Sequence, residues 1–409
     1  MLLGLCLRNY QSLEHLELGL TRAVWERALA AGASAAELDS LSRLQELTVL
    51  IGRNASGKSS VLGSLGLLSA LMRHDLPYAT NACDPDGFAG LLRHGSREPL
   101  EIEVLLSLPG LSRPVCYRIA IRADAEGRPR LASENLALLP GARTDGSGRT
   151  VLEMGEDGGF CELSGEARQS LDAGDRKRAL LPLVGRLTGE GLPRAVLAEL
   201  SSWYFCRFLE DAPGAGMRLD ASRHERQGPH HRLNETASNI PNVIAWYERR
   251  SPALWRKIQE RIAAVHPAGR RLREDWLKGS LSAAEERFLA LLLLLEDPDP
   301  RPLLLIENPD SGLYHDSVTS LGDELRRYGL RHEQSQIIMS THNPVLLESF
   351  APREVWVLSR GAGDRALQAS ALPLVAELYE EGIGMAAIWY AGHLEDPATD
   401  TRGEPDATS

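Results

Sequence analysis

The sequence predicts an α/β fold in which a mixed sheet carries an antiparallel β-lobe and a helical insert. Three observations support this prediction. A short apolar run at 47–51 precedes a glycine-rich turn and a helical segment. The segment 302–340 has the pattern strand, helix, strand, which as a βαβ unit requires parallel strands. Between 100 and 138, alternating segments separated by turn residues are typical of antiparallel strands.

The N-terminal lobe is predicted to span residues 1–164. Its opening segment lacks a basic region and a small-residue cleavage site, so we interpret it as a strand and not as a signal peptide. Apolar periodicity then gives the remaining elements. In order, they are a broken strand at 4–18, a helical stretch at 23–44 with a break at Gly32 and Ser34, a buried strand at 47–51, a helix at 59–72, strands at 100–108, 115–122 and 131–138, and loops around a short strand at 141–159.

A helical insert at 165–277 and a C-terminal lobe at 278–394 are predicted to follow. The acidic, proline-containing segment 395–409 is poor in apolar residues and is expected to be a disordered tail. Helical spacing and short apolar runs mark the elements between. They are helices at 242–247, 253–265, 281–296, 317–329 and 375–381, and strands at 302–306, 336–340 and 354–358.

Composition indicates a soluble globular protein of the cytoplasm. Hydrophobic residues make up 43% and charged residues 25% of the 409. The apolar run 288–295 is far too short to cross a membrane. An odd number of cysteines without a CxxC pair predicts neither a disulfide framework nor a structural zinc site, and we expect small buried thiols. These cysteines are Cys6, Cys83, Cys116, Cys161 and Cys206.

The net charge of −11 argues against nucleic-acid binding by the surface as a whole. One local stretch, 249–273, is nevertheless strongly basic. A solvated helix face and a contact with a phosphate backbone or a partner protein are both consistent with it. Nucleic acid is therefore kept as one of the partners consistent with the sequence.

A phosphate-binding loop follows the apolar strand at 47–51. In such a loop, backbone N–H groups and the N-terminus of the next helix face an anion. Lys58 would reach the β and γ phosphates of a nucleoside triphosphate, and the Ser59 hydroxyl would bind Mg²⁺. A glycine turn without function is the weaker alternative, because a strand precedes the motif and a helix follows it. The pattern GxxxxGK[ST] is matched by Gly52, Arg53, Asn54, Ala55, Ser56, Gly57, Lys58 and Ser59.

Two further strand ends carry polar residues of the kind that complete such a site. The apolar run 303–306 ends in Glu307, Asn308 and Pro309, and the run 336–340 leads to His342. Taken alone, Glu307 could mark an ordinary boundary between a strand and a loop, and His342 could be a loop histidine that only forms hydrogen bonds within its loop. Together with the phosphate loop, in this order and on βαβ strands, they predict the second half of a triphosphate site.

These segments together resemble the ABC-type ATPases of the RecF, SMC and OLD-like branch, and the resemblance spans nearly the whole chain. The resemblance implies a P-loop NTPase fold of the ABC-ATPase type, with ATP and Mg²⁺ as cofactors. It places Ser60 beside the phosphate loop and Ser282 in the signature motif that completes the site of a second subunit. The similar segments are 7–12, 49–60 (Walker A), 281–285 (signature), 303–309 (Walker B), 309–315, 339–344 (switch histidine) and, at the C-terminal end, 381–384 and 388–392.

The Walker B segment departs from the pattern of this branch, which has Asp-Glu before the proline. Here Glu307 falls on the magnesium position and Asn308 on the general-base position. An amide orients water but cannot accept its proton, so we expect slow hydrolysis unless Glu307, Asp310 or His342 substitutes. His342 is the predicted switch residue.

The signature segment also departs, because Ala283 and Ala284 follow Ser282 where glycine is usual. Ser282 with Glu285 equally forms a capping box, S-x-x-E, at the start of a buried helix. Both roles are compatible, since a capped helix end also attracts anions. The glutamine of the Q-loop cannot be placed.

The resemblance implies an ATP-dependent homodimer that acts as a switch in DNA maintenance or phage defence. Too few residues follow the switch segment for the fused nuclease domain of the longer relatives, so we expect a separate effector protein, such as a nuclease, as partner, and we expect no membrane contact. A hydrolysis-deficient ATP-sensing scaffold is the first alternative. A transporter ATPase subunit is disfavoured by the β-lobe, the insert and the degenerate signature.

Overall fold

A computed structural model describes residues 1–142, 147–162, 168–172, 174, 176–206, 231–237, 239–265, 283–360 and 363–394. The strands are β1 Leu2–Tyr10, β2 Leu13–Gly19, β3 Leu47–Ile51, β4 Leu100–Leu106, β5 Val115–Ala123, β6 Pro129–Leu138, β7 Arg149–Gly155, β8 Gly158–Glu162, β9 Arg168–Leu171, β10 Tyr204–Phe205, β11 Leu303–Glu307, β12 Gln336–Ser340, β13 Val355–Arg360 and β14 Asp364–Gln368.

Helices connect these strands and cover the sheets. They are α1 Arg22–Ala30, α2 Ala35–Asp39, α3 Lys58–Leu71, α4 Leu76–Cys83, α5 Phe88–Leu91, α6 Leu181–Leu187, α7 Leu192–Ser201, α8 Ile240–Arg250, α9 Pro252–Val265, α10 Ala283–Leu295, α11 His315–Arg331, α12 Pro344–Leu347, α13 Pro373–Glu380 and α14 Met385–Tyr390. Short 3₁₀ turns at Pro352–Glu354 and Ala369–Ala371 flank β13 and β14.

The strands form two sheets. One has the order β10-β11-β12-β3-β13-β14, in which every neighbouring pair is parallel except β13 and β14. The other is antiparallel throughout, in the order β2-β1-β4-β5-β6-β7-β8-β9. The predicted fold class, α/β with a mixed sheet and an antiparallel β-lobe, is confirmed.

Helix α3 lies between the two sheets and is buried on nearly all sides. Alternate residues of each parallel strand therefore enter different cores. Leu303 and Leu305 of β11 pack in the core around α3, whereas Leu304 and Ile306 pack with α10 and α11 on the other face. A strand buried on both faces appears in sequence as a continuous apolar run, as β3, β11 and β12 do.

A buried carboxyl ties the β-lobe to helix α6. Glu134 accepts hydrogen bonds from the Tyr117 hydroxyl at 2.8 Å and from the backbone N–H groups of Leu180 and Leu181 at 2.6 and 2.8 Å. Its side chain is almost completely buried. Burial raises the pKa of Glu134, while these three donors oppose the shift.

Most predicted elements are confirmed to within a few residues, and two regions differ. The segment 165–277 contributes β9 to the antiparallel sheet and β10 to the parallel sheet besides its helices. Strands of 4 and 2 residues are too short to show periodicity. The segment 141–159, expected to hold loops around a short strand, instead contains β7 and the start of its hairpin partner β8. The lobe and insert boundaries at 164 and 277 remain predictions.

Two further expectations can be compared with the structure. No helix in the described ranges is long and apolar enough to cross a membrane. All five cysteines lie in the described ranges and form no disulfide; Cys116, Cys161 and Cys206 are buried, as expected, whereas Cys6 and Cys83 are half-buried. Cys83 is the last residue of α4, and Cys6 lies on the face of β1 that lines a cavity with Glu17 and Thr21. The predicted tail at 395–409 lies outside the described residues.

Candidate functional site

The phosphate loop joins the end of β3 to the start of α3 through residues in the left-handed region. Gly52, Ala55 and Gly57 have φ values of 143°, 62° and 99°. Such a path turns successive N–H groups toward one point and favours an anion there. A Cβ on Gly52 would lie 2.2 Å from the carbonyl oxygen of Leu358, so only glycine fits this close approach.

The N-terminus of α3 carries no side-chain cap. Helices α1, α2 and α4 differ, because Thr21, Ser34 and Asp75 each accept a hydrogen bond from the first turn. The first N–H groups of a helix have no intrahelical acceptor, and the helix dipole adds positive potential there. In α3 these features face the phosphate loop, whose residues 53–55 are exposed. The loop and helix end are therefore suited to an anionic ligand.

Lys58 lies folded against the loop. Its Nζ donates to the carbonyl oxygens of Gly52 and Arg53, both at 2.9 Å, and lies 3.4 Å from Ser56 Oγ. Burial lowers the pKa of Lys58 to about 8, although Glu307 opposes the shift. The ammonium is thus held where a phosphate would meet it and where little water competes.

Ser59 and Glu307 meet directly, since the Ser59 hydroxyl donates a hydrogen bond to Glu307 Oε1. Strand register explains this contact. Glu307 of β11 pairs with Ser340 of β12, which in turn pairs with Leu50 of β3. The carboxyl ends of the three parallel strands therefore reach the same edge of the sheet, where ligands bind in open α/β folds.

Asn308 follows Glu307 in the left-handed region, with a φ of 43°. Its backbone N–H donates to the Ser340 carbonyl oxygen at 3.1 Å, and Ser340 Oγ lies 3.4 Å from its side-chain oxygen. Asparagine tolerates this conformation better than most residues. The amide is thus fixed at the end of β11, beside the carboxylate that contacts Ser59.

His342 lies on the loop after β12 with an exposed side chain. Partial desolvation and Lys58 lower its pKa, whereas Asp310 and Glu307 oppose the shift. Asp310 accepts a hydrogen bond from the Thr341 hydroxyl at 2.8 Å, and burial raises its pKa. The structure therefore gathers the predicted residues Lys58, Glu307 and His342 in one electrostatic environment.

Ser282 lies outside the described residues, and so does the start of the predicted signature motif. The helix that follows is described from residue 283, and its residues 286–295 are buried, as the sequence predicts. Arg287 on this helix donates to the carbonyl oxygen of Ser311 at 3.0 Å. It thereby fixes the loop after Glu307 to the signature helix. Sequence reasoning missed this residue because the surrounding pattern is almost wholly apolar.

Two other residues that position the phosphate loop were not predicted. Gln11, in the turn between β1 and β2, accepts a hydrogen bond from the Ser60 hydroxyl at 2.8 Å. Arg360, at the end of β13, donates to the carbonyl oxygen of Ala55 at 3.3 Å. The motif at 7–12 contained a signal for Gln11, but nothing local marks Arg360.

The basic stretch at 249–273 divides into different environments. Arg261 is mostly buried and pairs with Glu296 and, at 3.0 Å, with Glu324, so it belongs to the packing of α9 against α10 and α11. Four of the remaining basic residues are exposed, and three lie outside the described residues. The exposed ones are Arg249, Arg250, Arg256 and Lys257, and the others are Arg270, Arg271 and Arg273.

Residues 226–348 match the model of a family described as AAA domain, putative AbiEii toxin, Type IV TA system. The matched segment contains Glu307, Asn308 and His342, and the phosphate loop lies upstream of it. No curated protein matches the sequence.

Several solved structures of SMC heads are similar to the chain at low identity. The SmcHead bound to the C-winged helix domain of ScpA is 14% identical, with 90% of this chain and 96% of that chain covered and a TM-score of 0.48. The SMC head domain from Thermotoga maritima is 14% identical, with 90% and 98% covered and a TM-score of 0.42.

A Smc head domain with an extended coiled coil, bound to the C-terminal domain of ScpA derived from Pyrococcus furiosus, is 11% identical, with 92% and 99% covered and a TM-score of 0.46. The family match covers residues 226–348, and the phosphate loop, the uncapped helix and the strand ends make this chain an α/β protein with a site of the P-loop type.

Proposed function

We propose that the chain binds ATP with Mg²⁺ and hydrolyses it slowly as a nucleotide-dependent switch. One observation carries this proposal. Ser59, at the start of an uncapped helix, contacts Glu307, at the end of a strand far away in sequence. A glycine turn without function would not require a carboxylate at this position.

The donor set fits Mg²⁺. A serine hydroxyl and a carboxylate are hard oxygen ligands, and Mg²⁺ typically takes one or two protein oxygens together with phosphates and waters. Adjacent ligands in an octahedron of the usual Mg–O length lie about 2.9 Å apart. Ser59 and Glu307 already touch, so a small separation would admit the ion. Bound Mg²⁺ would neutralise charge on the β and γ phosphates.

The protein residues would then act by position and charge. Loop N–H groups and the α3 terminus would hold the phosphates, and Lys58 would exchange its carbonyl partners for phosphate oxygens. Asn308 would orient the attacking water through its amide without removing a proton. Because general-base catalysis contributes about 10²–10⁴ in rate, turnover should be slow. His342, whose pKa is lowered by partial desolvation and by Lys58, would act as the neutral residue that senses the γ-phosphate.

We further propose that ATP brings two copies together head to tail. The exposed loop at 53–55 leaves one side of the phosphates open, and Ser282 of a second copy would close it. Tyr314, in the loop after β11, is 70% exposed and would lie near such an interface. The closed dimer would control a separate effector, such as a nuclease, in DNA maintenance or phage defence in the cytoplasm.

A second candidate function is an ATP-sensing scaffold that closes on ATP and seldom hydrolyses it. The amide of Asn308 at the base position favours this candidate, since no carboxylate stands there. Both candidates bind Mg²⁺-ATP and differ in turnover, so a steady-state ATPase measurement separates them.

Calorimetry of ATP binding with and without Mg²⁺ tests the common part of the proposal. We expect Mg²⁺ to increase affinity for the wild type, and Glu307→Gln to lose most of that increase. Glu333→Gln, an exposed position on the loop before β12, is the matched control and should behave as wild type. Equal Mg²⁺ dependence in wild type and Glu307→Gln would refute the metal assignment, and no ATP binding at all would refute the proposed function.

A further inference from the structure

A cluster of metal-ligating side chains lies on the β1–β2 hairpin, away from the phosphate loop. Cys6 of β1 pairs with Glu17 of β2, and His15 stands two residues before Glu17 on the same face. The ligating atoms of Cys6, His15 and Glu17 all lie within 4.8 Å of one another. Their donors are a sulfur, a nitrogen and an oxygen.

The distances in this cluster match the edges of a tetrahedral zinc site. Cys6 Sγ lies 3.5 Å from His15 Nε2, and His15 Nε2 lies 3.6 Å from Glu17 Oε1. With Zn–S near 2.3 Å and Zn–N or Zn–O near 2.0–2.2 Å, tetrahedral geometry separates neighbouring donors by about 3.3–3.6 Å. One ion could therefore contact all three side chains after small rotations.

The carboxylate of Glu17 is oriented so that it can bind a metal ion. The Thr21 hydroxyl donates to Glu17 Oε2 at 3.2 Å, which leaves Oε1 directed toward His15. Hydrogen bonds of this kind fix a ligating carboxylate and tune its affinity. Cys6, Glu17 and Thr21 line a cavity of about 230 Å³ whose wall also includes Arg8, Arg22 and Arg118 but not His15, and it leaves room for a water in a fourth position.

The charges around the cluster leave negative potential at the thiol. Glu103 of β4 stands opposite Cys6 in the sheet register, and Glu101 lies two residues before it. A divalent cation would stabilise the thiolate beside these carboxylates.

The nearby arginines already have carboxylate partners. Arg8 lies 3.9 Å and Arg118 2.7 Å from Glu101, and Arg22 pairs with Glu26 at 2.7 Å. Their positive charge is therefore partly compensated before any metal binds.

We propose that Cys6, His15 and Glu17 bind one zinc ion, with a water in the fourth position. A mixed sulfur, nitrogen and oxygen set favours Zn²⁺ over Mg²⁺, which prefers oxygen ligands only. The site is distinct from the oxygen pair of Ser59 and Glu307. Cysteine spacing along the chain predicts no zinc site, because strand register and not spacing brings these three residues together.

Titration of the purified full chain with Zn²⁺ and with Co²⁺, in excess Mg²⁺, tests the proposal. Co²⁺ bound through a thiolate shows a sulfur-to-metal charge-transfer band. We expect one equivalent of Zn²⁺, displacement of Co²⁺ by Zn²⁺, and this band in the wild type. Excess Mg²⁺ occupies the oxygen ligands of Ser59 and Glu307, so that Zn²⁺ or Co²⁺ bound there does not contribute to the signal.

Three single variants and one control complete the experiment. Cys6→Ser should lose the band, and His15→Gln and Glu17→Gln should weaken Zn²⁺ binding by more than the roughly 10–100-fold that a lost supporting contact costs. Cys83→Ser, which changes the other half-buried thiol, should bind as wild type. Far-ultraviolet circular dichroism checks that each variant is folded.

Absence of the band in the wild type, or its persistence in folded Cys6→Ser, would overturn the site. Zinc affinity unchanged in His15→Gln, whose side chain is 44% exposed and tolerates replacement, would overturn it as well. These outcomes do not depend on ATP binding.

Discussion

Asn308→Glu is the substitution that most directly tests the chemistry of the proposed ATPase. Asn308 stands beside Glu307 at the end of β11, where the attacking water of a slow ATPase would lie. The change places a carboxylate at this position and lengthens the side chain by one methylene. If the amide limits hydrolysis, turnover should rise.

General-base catalysis sets the expected gain in rate, and the backbone of Asn308 sets the cost in stability. Restoring general-base catalysis contributes about 10²–10⁴ in rate at best, and we expect at least about tenfold, or ~1.4 kcal/mol in the barrier. The cost is backbone strain, since Asn308 has a φ of 43°. Residues other than Gly, Asn and Asp lose roughly 1–2 kcal/mol in this region. The Ser340 hydroxyl contact at 3.4 Å is weak, so little more is lost with it.

Phosphate release at saturating Mg²⁺-ATP is the assay, with urea unfolding to measure the strain. Asn308→Gln is the matched control, because it has the length and the strain of the glutamate without a base. Turnover should rise in Asn308→Glu and stay at the wild-type level or below in Asn308→Gln. Both variants should lose similar stability.

Wild-type turnover of about 1 per second or faster would refute the reasoning, because another residue would already serve as base. A glutamate variant no faster than wild type would locate the limit elsewhere, in Glu307 as the true base or in the degenerate signature. Ala284→Gly combined with Asn308→Glu separates these, since only a defective signature requires the glycine for any gain.

The remaining predictions concern binding, assembly and stability. Lys58→Ala should weaken ATP binding in calorimetry by about 10–100-fold or more at little cost in stability, because hydrogen bonds to a charged group contribute ~1.5–3 kcal/mol; unchanged affinity would contradict the phosphate loop. Gly52→Ala should lose about 1–3 kcal/mol of unfolding free energy in urea denaturation and bind ATP poorly, since its Cβ would lie 2.2 Å from a backbone oxygen. Wild-type stability and affinity in this variant would contradict the close approach. A non-hydrolysable ATP analogue should double the mass seen by light scattering, and Ser282→Arg should stay monomeric; a normal dimer in that variant would count against head-to-tail closure. Burial raises the pKa of Glu134 above its ordinary value of 4.5, so its ionisation favours the unfolded chain and wild-type stability should fall as pH rises through the window above that value. In Glu134→Gln, the free energy of unfolding in urea should no longer fall across that pH range. If wild type and variant show the same pH dependence, the three hydrogen-bond donors, and not burial, control the pKa of this carboxyl.

The sequence by itself determined the phosphate loop and the ends of the strands beside it. Gly52, Gly57 and Lys58 are recognisable because a strand, a tight turn and a helix start are local features with fixed spacing. Glu307 and His342 were found for the same reason, as polar residues that end apolar runs buried on both faces. The α/β class followed from the order of these elements.

Tertiary structure decided which of these ends meet. Strand β12 lies between β3 and β11, and the register that brings Glu307 to Ser59 depends on hydrogen bonds between strands distant in sequence. Arg287 and Arg360 hold the loops around the site through side-chain contacts with backbone oxygens, which leave no periodic trace.

The same limit applies to the zinc cluster and to Asn308. Cys6 faces His15 and Glu17 only because the β1–β2 hairpin pairs in one register, and a shift by one residue would turn the side chains to opposite faces. The left-handed backbone of Asn308 is likewise imposed by its bonds to Ser340. Local pattern thus predicted which residues would carry the chemistry, whereas pairing between distant segments decided their neighbours, because register and side-chain contact are properties of the packed chain.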